Sequence, residues 1–172
     1  MTQKSPPVSV SRPELLDGDG RDQVFRALVY DLLSVGARMQ EVRDNLAKII
    51  GVTGPQYAIL MAVAHMQNDV GGAGVRAVAR RLHVSGPFIT TQVNLLVKAD
   101  LVGKFPNPED GRGVILRLTD LGEARLAAIE PEIKIANDTF FGPLSATEFH
   151  ALADLAARLE KSSELAVRPA TD

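Results

Sequence analysis

The chain has 172 residues, with 19 basic and 21 acidic side chains, a net charge of −2 at neutral pH and no cysteine. That length suits one domain or slightly more and is too short for two ordinary enzyme domains. Hydrophobic residues at 45% and charged residues at 23% exclude wholesale disorder, and the missing cysteine excludes a disulfide framework, a thiolate metal site and a cysteine nucleophile. Apolar runs fall far short of a membrane span, and the polar, proline-bearing start from Met1 to Arg12 is unlike a signal peptide. A cytoplasmic chain without membrane contact is the expectation. Aromatics at 5% with no tryptophan argue against base stacking on single strands.

Residues 1–20 mix Pro, Gly, Ser and Asp without periodicity, which predicts a mobile tail. From Asp22 a long amphipathic helix is expected, with Val24, Leu28, Leu32, Val35, Met39, Val42, Leu46 and Ile49 in steps of three and four. Such a helix outruns the core of a small domain, so its stripe is expected to meet another subunit. It stops at Gly51. Thr53, before Gly54 and Pro55, reads as the cap of a second helix carrying Tyr57, Leu60, Met61 and Ala64. The Gly71-Gly72-Ala73-Gly74 run then reads as a loop.

A short helix over Val75 to Leu82 follows, with Val75, Val78, Ala79 and Leu82 inward. His83-Val84 makes a tight connection, and Ser85 caps a helix that has Pro87 in its first turn and reaches about Ala99. Two helices joined so briefly form a helix-turn-helix pattern. Phe88, Ile89, Val93 and Leu96 are read mostly as core. Leu101–Phe105 and Val114–Leu118 are β-rich and flank a loop of turn formers, predicting a hairpin. Thr119 caps another helix, with Leu121, Ala124, Ala128, Ile129 and Ile133 inward and a kink near Ala127 imposed by Pro131. Ser145 with Glu148 forms a capping box opening a last helix, striped by Phe149, Leu152, Leu155 and Leu159.

Charge is unevenly spread. Residues 76–117 hold seven bases against three acids, whereas residues 118–172 hold five bases against ten acids. A basic middle in an acidic chain suits an anion-binding surface, nucleic acid included, or an ordinary fluctuation of surface charge. Catalysis finds little support. His65, His83 and His150 are scattered without metal-ligand spacing, the glycine run lacks a preceding strand and a following Lys-Ser/Thr, and Ser85 lacks a Gly-x-Ser-x-Gly context. The expectation is a protein that is not an enzyme and needs no metal or cofactor.

The stretch LHVSGPFITTQVNLLVKADLVGKFPNPEDGRGVILRLTDLGE, from Leu82 to Glu123, resembles the winged helix-turn-helix core of MarR-type bacterial transcriptional regulators. The sharpest points are Asn107-Pro108-Glu109-Asp110-Gly111-Arg112 in the wing and Leu118-Thr119-Asp120-Leu121-Gly122 at its exit; Thr53-Gly54-Pro55-Gln56-Tyr57 adds a third. The resemblance covers roughly residues 22–165. It implies a mainly α fold with a small β-hairpin wing. An N-terminal dimerisation helix would occupy residues 21–50, a DNA-binding lobe 51–118 and completing C-terminal helices 119–165, followed by a mobile tail at 166–172.

The implied partners are double-stranded DNA, a second copy of the chain and a small-molecule effector, either an aromatic acid or an acyl-CoA thioester. Ser85, Gly86, Pro87, Thr90, Thr91 and Asn94 would face the major groove. Arg112 would reach the minor groove with Asp110 orienting it, and Lys104 would meet phosphate. Arg80 and Arg81 suit phosphate contact and plain solvation about equally. Thr91 stands where many relatives carry Arg, and Asn94 where Asp commonly holds the wing Arg, so readout should lean on threonines, thymine methyls and DNA shape. An effector cleft would draw on Arg38, Met39, Arg43, Tyr57, Met61 and His65, with Arg38 or Arg43 anchoring a carboxylate. The competing reading is a helical dimerisation scaffold without specific DNA binding.

Overall fold

A computed structural model describes residues 7–70, 72–107 and 113–167. In chain order the elements are α1 (Gln23–Ile49), α2 (Gly54–Val70), β1 (Ala73–Gly74), α3 (Val75–Arg81), α4 (Gly86–Lys98), β2 (Val102–Pro106), β3 (Val114–Leu118), α5 (Asp120–Ala128), α6 (Glu130–Phe141) and α7 (Ala146–Ala166). The chain divides into one compact unit ending at Arg125 and a second beginning at Leu126. Among the described residues no single helix is long and apolar enough to cross a membrane.

The first unit is built around α2. This helix is apolar on most sides and buries Tyr57, Ile59, Leu60, Ala62 and Val63, as a core helix must. Its start is capped reciprocally: Gln56 N–H donates to Thr53 Oγ1 at 3.4 Å, and Thr53 N–H to Gln56 Oε1 at 3.1 Å. Leu46, Ala47 and Ile50 at the end of α1 are buried, along with Ile89, Val93 and Leu96 of α4 and Ile115 and Leu116 of β3. Arg125 closes the end of α1 by donating from Nη1 to the Ile50 carbonyl at 2.7 Å, where a helix terminus welcomes a cation.

The expected hairpin forms from β2 and β3, and the sheet adds a third strand to it. The sheet has three antiparallel strands in the order β1-β3-β2, with Ala73 paired to Leu116 and Phe105 to Ile115. The glycine run read as loop supplies β1. Gly72 has φ +153° and a Cβ there would fall 2.8 Å from Ile115 Cδ1, so only glycine admits this approach. At the exit of β3, Thr119 Oγ1 donates to the Asp100 carbonyl at 2.5 Å and accepts from Gly122 N–H at 3.0 Å. A Cβ on Gly122 would lie 2.2 Å from the Leu101 carbonyl oxygen. The Leu-Thr-x-x-Gly signature therefore locks the start of α5 onto the chain leaving α4.

Three further expectations change. The mobile tail expected over residues 1–20 is corrected for its described part: residues 7–20 hold a 3-10 turn at Pro13–Leu15 and lead into contacts that tie them to α1. Ser9 N–H donates to Asp22 Oδ2 at 2.8 Å, and Arg26 donates to the carbonyl of Pro7. The expected kink near Ala127 is a break at Ile129 (φ −106°, ψ 10°), so the helix expected there is two, with Pro131 in the first turn of α6. Of the five inward positions expected after the wing, Ile129 is buried and Ile133 half-buried, whereas Leu121, Ala124 and Ala128 are exposed and Gly122 is the buried position of α5.

In the second unit the capping box forms as expected. Ser145 Oγ accepts from Glu148 N–H at 3.3 Å, and Ser145 N–H donates to Glu148 Oε2 at 2.8 Å. Phe140, Phe141, Phe149 and His150 make a chain of ring contacts with centroids 5.2 to 5.8 Å apart. The α7 stripe of Phe149, Leu152, Leu155 and Leu159 is exposed.

Candidate nucleic-acid interface and cleft

The helix-turn-helix is made by two short hydrogen-bonded turns. His83 N–H donates to the Arg80 carbonyl and Val84 N–H to that of Ala79, with His83 at φ +52°. Ser85 then caps α4, its Oγ accepting from Phe88 N–H at 3.3 Å. Ile89, Val93 and Leu96 point into the core at steps of four and three, as anticipated. Phe88 departs from that reading and is 39% exposed. The burial of one stripe turns Pro87, Thr90, Thr91, Asn94 and Lys98 outward.

This outward face is mostly neutral and hydrogen-bonding. Thr90 and Thr91 donate their hydroxyl protons back to the carbonyls of Gly86 and Pro87 at 3.0 and 3.1 Å. Their oxygen lone pairs and methyl groups remain available outward. Lys104 of β2 donates from Nζ to Asn94 Oδ1 at 2.6 Å. Arg80 and Arg81 are exposed on α3. On the wing, the Arg117 guanidinium lies 5.6 Å from the Phe105 ring centroid, a cation–π contact. Asp110 and Arg112 lie outside the described residues.

A cleft of about 410 Å³ opens between α1, α2, α3 and α4. Arg43, Gln40, Pro55, Ala58, Leu82, Val84, Phe88 and Arg81 line it. The Nε of Arg43 is buried without a hydrogen-bond partner, an unusual state for a guanidinium donor. Gln40 is engaged elsewhere, donating to Asp44 Oδ1 at 2.8 Å. Of the six residues expected around an effector, Arg43 alone lines this cleft. Arg38 is paired with Glu41 at 2.7 Å on an exposed surface, while Met39 and His65 are exposed and Met61 is half-buried. Tyr57 is in the core, where burial raises its hydroxyl pKa against the opposing charge of Arg43.

Sequence reasoning missed the Lys104–Asn94 bridge, the Gln56–Gln92 contact at 3.4 Å that joins α2 to α4, and the apolar lining of the cleft. Each depends on how separate elements pack against one another, and no local spacing signals it.

A capped outward helix after a tight turn, followed by a three-stranded wing, defines a winged helix-turn-helix protein. A family model described as MarR family matches residues 50–113. The PcaV transcriptional regulator of Streptomyces coelicolor, solved with its natural ligand, is 30% identical, with 75% of this chain and 91% of that one aligned and a TM-score of 0.56. The HTH-type transcriptional repressor MdtR of Bacillus subtilis (strain 168) is 24% identical over 132 residues, covering 77% of this chain and 84% of that protein. A mutant MarR from E. coli, complexed with operator DNA, shares the fold: TM-score 0.64, 20% identity, 77% of this chain and 93% of that one. The chain belongs to the MarR family, whose members are DNA-binding transcription regulators rather than enzymes.

Proposed function

We propose that this protein is a repressor that binds a pseudo-palindromic operator as a homodimer and is released by an aromatic acid or its coenzyme A thioester. The observation that carries the DNA reading is the outward face of α4: Thr90, Thr91 and Asn94 exposed behind a capped, proline-bearing start, with Lys104, Arg80 and Arg81 nearby on the same unit. Threonine hydroxyls and methyls suit base edges in the major groove, and the flanking cations suit phosphates. Arg112, from sequence alone, is assigned to the minor groove. Two such heads would read half-sites about 34–36 Å apart.

Support for an effector comes from Arg43. Two arginines, Arg43 and Arg81, line a cleft that is otherwise largely apolar, which matches a flat ligand that has one carboxylate, and Phe88 places the first turn of α4 on the cleft wall. Filling the cleft bears directly on the reading helix. A tenfold loss of DNA affinity requires about 1.4 kcal/mol of differential binding. The test is selection of duplexes from a random pool, then mobility shifts with benzoate and benzoyl-coenzyme A titrated in. Selection of a two-fold-symmetric site, with release that Arg43→Met abolishes while DNA binding persists, is the expected result. Failure to retain any duplex at low salt would instead favour the scaffold reading, which the near-neutral face of α4 keeps in play. Equal ligand affinity with and without DNA would remove the cleft from regulation.

A further inference from the structure

Among the described residues a side-chain bridge joins the wing to the reading helix, and its chemistry is asymmetric. Lys104 stands at the middle of β2 opposite Leu116 of β3, and its ammonium donates to Asn94 Oδ1 at 2.6 Å, across to the exposed side of α4. A lysine carries four rotatable bonds in its stem, so an unanchored ammonium would sample many positions. The amide acceptor fixes it beside the helix face that carries Thr90 and Thr91. Unlike a carboxylate, the amide carries no charge. The bridge orients the cation without neutralising it. A lysine–carboxylate pair at the same place would hold the wing equally well and cancel the charge that phosphate requires.

Resting on the DNA-binding reading above, we infer that Asn94 is a positioning residue that presents an uncompensated Lys104 ammonium to the DNA backbone beside the reading helix, and that its being an amide rather than an acid sets the strength of that contact. Lys104 then supplies one counterion-releasing contact per reading head, and Asn94 supplies its direction. Because phosphate contacts carry no base information, the pair governs affinity and register more than sequence choice.

The experiment uses the full chain and a duplex that it selects from a random pool, with affinity measured across a salt series for the wild type and for Asn94→Asp, Asn94→Ala and Lys104→Gln. Lys104→Gln and Asn94→Asp should each lower the slope of log affinity against log salt by roughly one unit per reading head, with a loss of roughly tenfold or more at low salt. Asn94→Ala should keep the slope, since the charge survives, and lose roughly two- to tenfold through the ordering of a freed side chain. Melting temperatures near that of the wild type separate these effects from misfolding, and a variant that fails to fold is replaced by Lys104→Met or Asn94→Ser. An Asn94→Asp variant with unchanged slope and affinity, or a Lys104→Gln variant with unchanged slope, overturns the inference while leaving the DNA reading intact. A wild type that selects no duplex overturns the DNA reading, and this inference falls with it.

Discussion

At the residue scale, Asp22 shows how much one buried carboxylate organises. It is 5% exposed and accepts from Arg26 Nε at 2.9 Å and from Ser9 N–H at 2.8 Å, with the Ser9 hydroxyl as a further donor. The Arg26 hydrogen bond first, then the two Ser9 donors, hold its carboxyl far below the ordinary carboxylate range. A depressed folded pKa means that the clasp contributes fully above the unfolded value near pH ~4 and is lost as pH falls below it. Between roughly pH 5 and 8 it should be indifferent to pH. Asp22→Ala should expose residues 7–22 to protease while leaving α1 helical, which limited proteolysis followed by mass spectrometry will read. Cleavage at the wild-type rate would show that this segment is held by something other than Asp22. None of this was legible in the sequence, because Ser9 and Asp22 are thirteen residues apart with nothing periodic between them. The caps were legible. Thr53, Ser85 and Ser145 act within three residues of themselves, and all three hydrogen bonds form as the sequence predicts.

At the scale of elements, the capping box of α7 invites a direct measurement. Ser145→Ala removes the acceptor for Glu148 N–H and one of the donors that keep the Glu148 carboxyl below its usual range. The expected cost is about 1 kcal/mol by chemical denaturation near neutral pH. The difference should shrink below about pH 4, where a protonated Glu148 no longer holds the reciprocal bond. An unchanged denaturation midpoint would mean that the last helix is held by its stripe alone. Elements also show where pattern reading loses its grip. The break at Ile129 lies two residues before the proline that causes it, closer than the turn-long offset expected for a kink inside a continuous helix. β1 is only two residues long and is made of small residues. Pairing with β3, rather than any propensity of its own, makes it a strand.

At the scale of the whole molecule, the exposed apolar stripes set the next expectation. α1 runs for 27 residues, yet buries only Leu46 and Ala47, leaving Leu28 52% and Leu32 46% exposed. α7 buries nothing and shows Leu155 52% exposed. Contiguous apolar faces of this kind mark association surfaces, and a second copy in a two-fold arrangement is the proposed occupant. Light scattering at micromolar concentration should give twice the 18.5 kDa chain mass. Leu32→Glu and Leu155→Glu should each drive dissociation and weaken operator binding together, because the two heads must be held one DNA turn apart. A wild type that scatters as a monomer would overturn the dimer and, with it, the palindromic operator.

What the sequence determined by itself is the succession of local events: where helices start and stop, the apolar face of α4, the hairpin strands, and the wing-exit signature that places the chain among winged helix-turn-helix regulators. These follow from hydrogen bonds and periodicities that span a few residues. The tertiary structure decided what distant segments do to one another. It added β1 to the sheet, pinned Ser9 to Asp22, set Arg43 and Phe88 on the walls of one cleft, and brought Lys104 to Asn94. Each of those joins chain segments whose separation carries no pattern, and their geometry exists only once the core around α2 has fixed the elements in space.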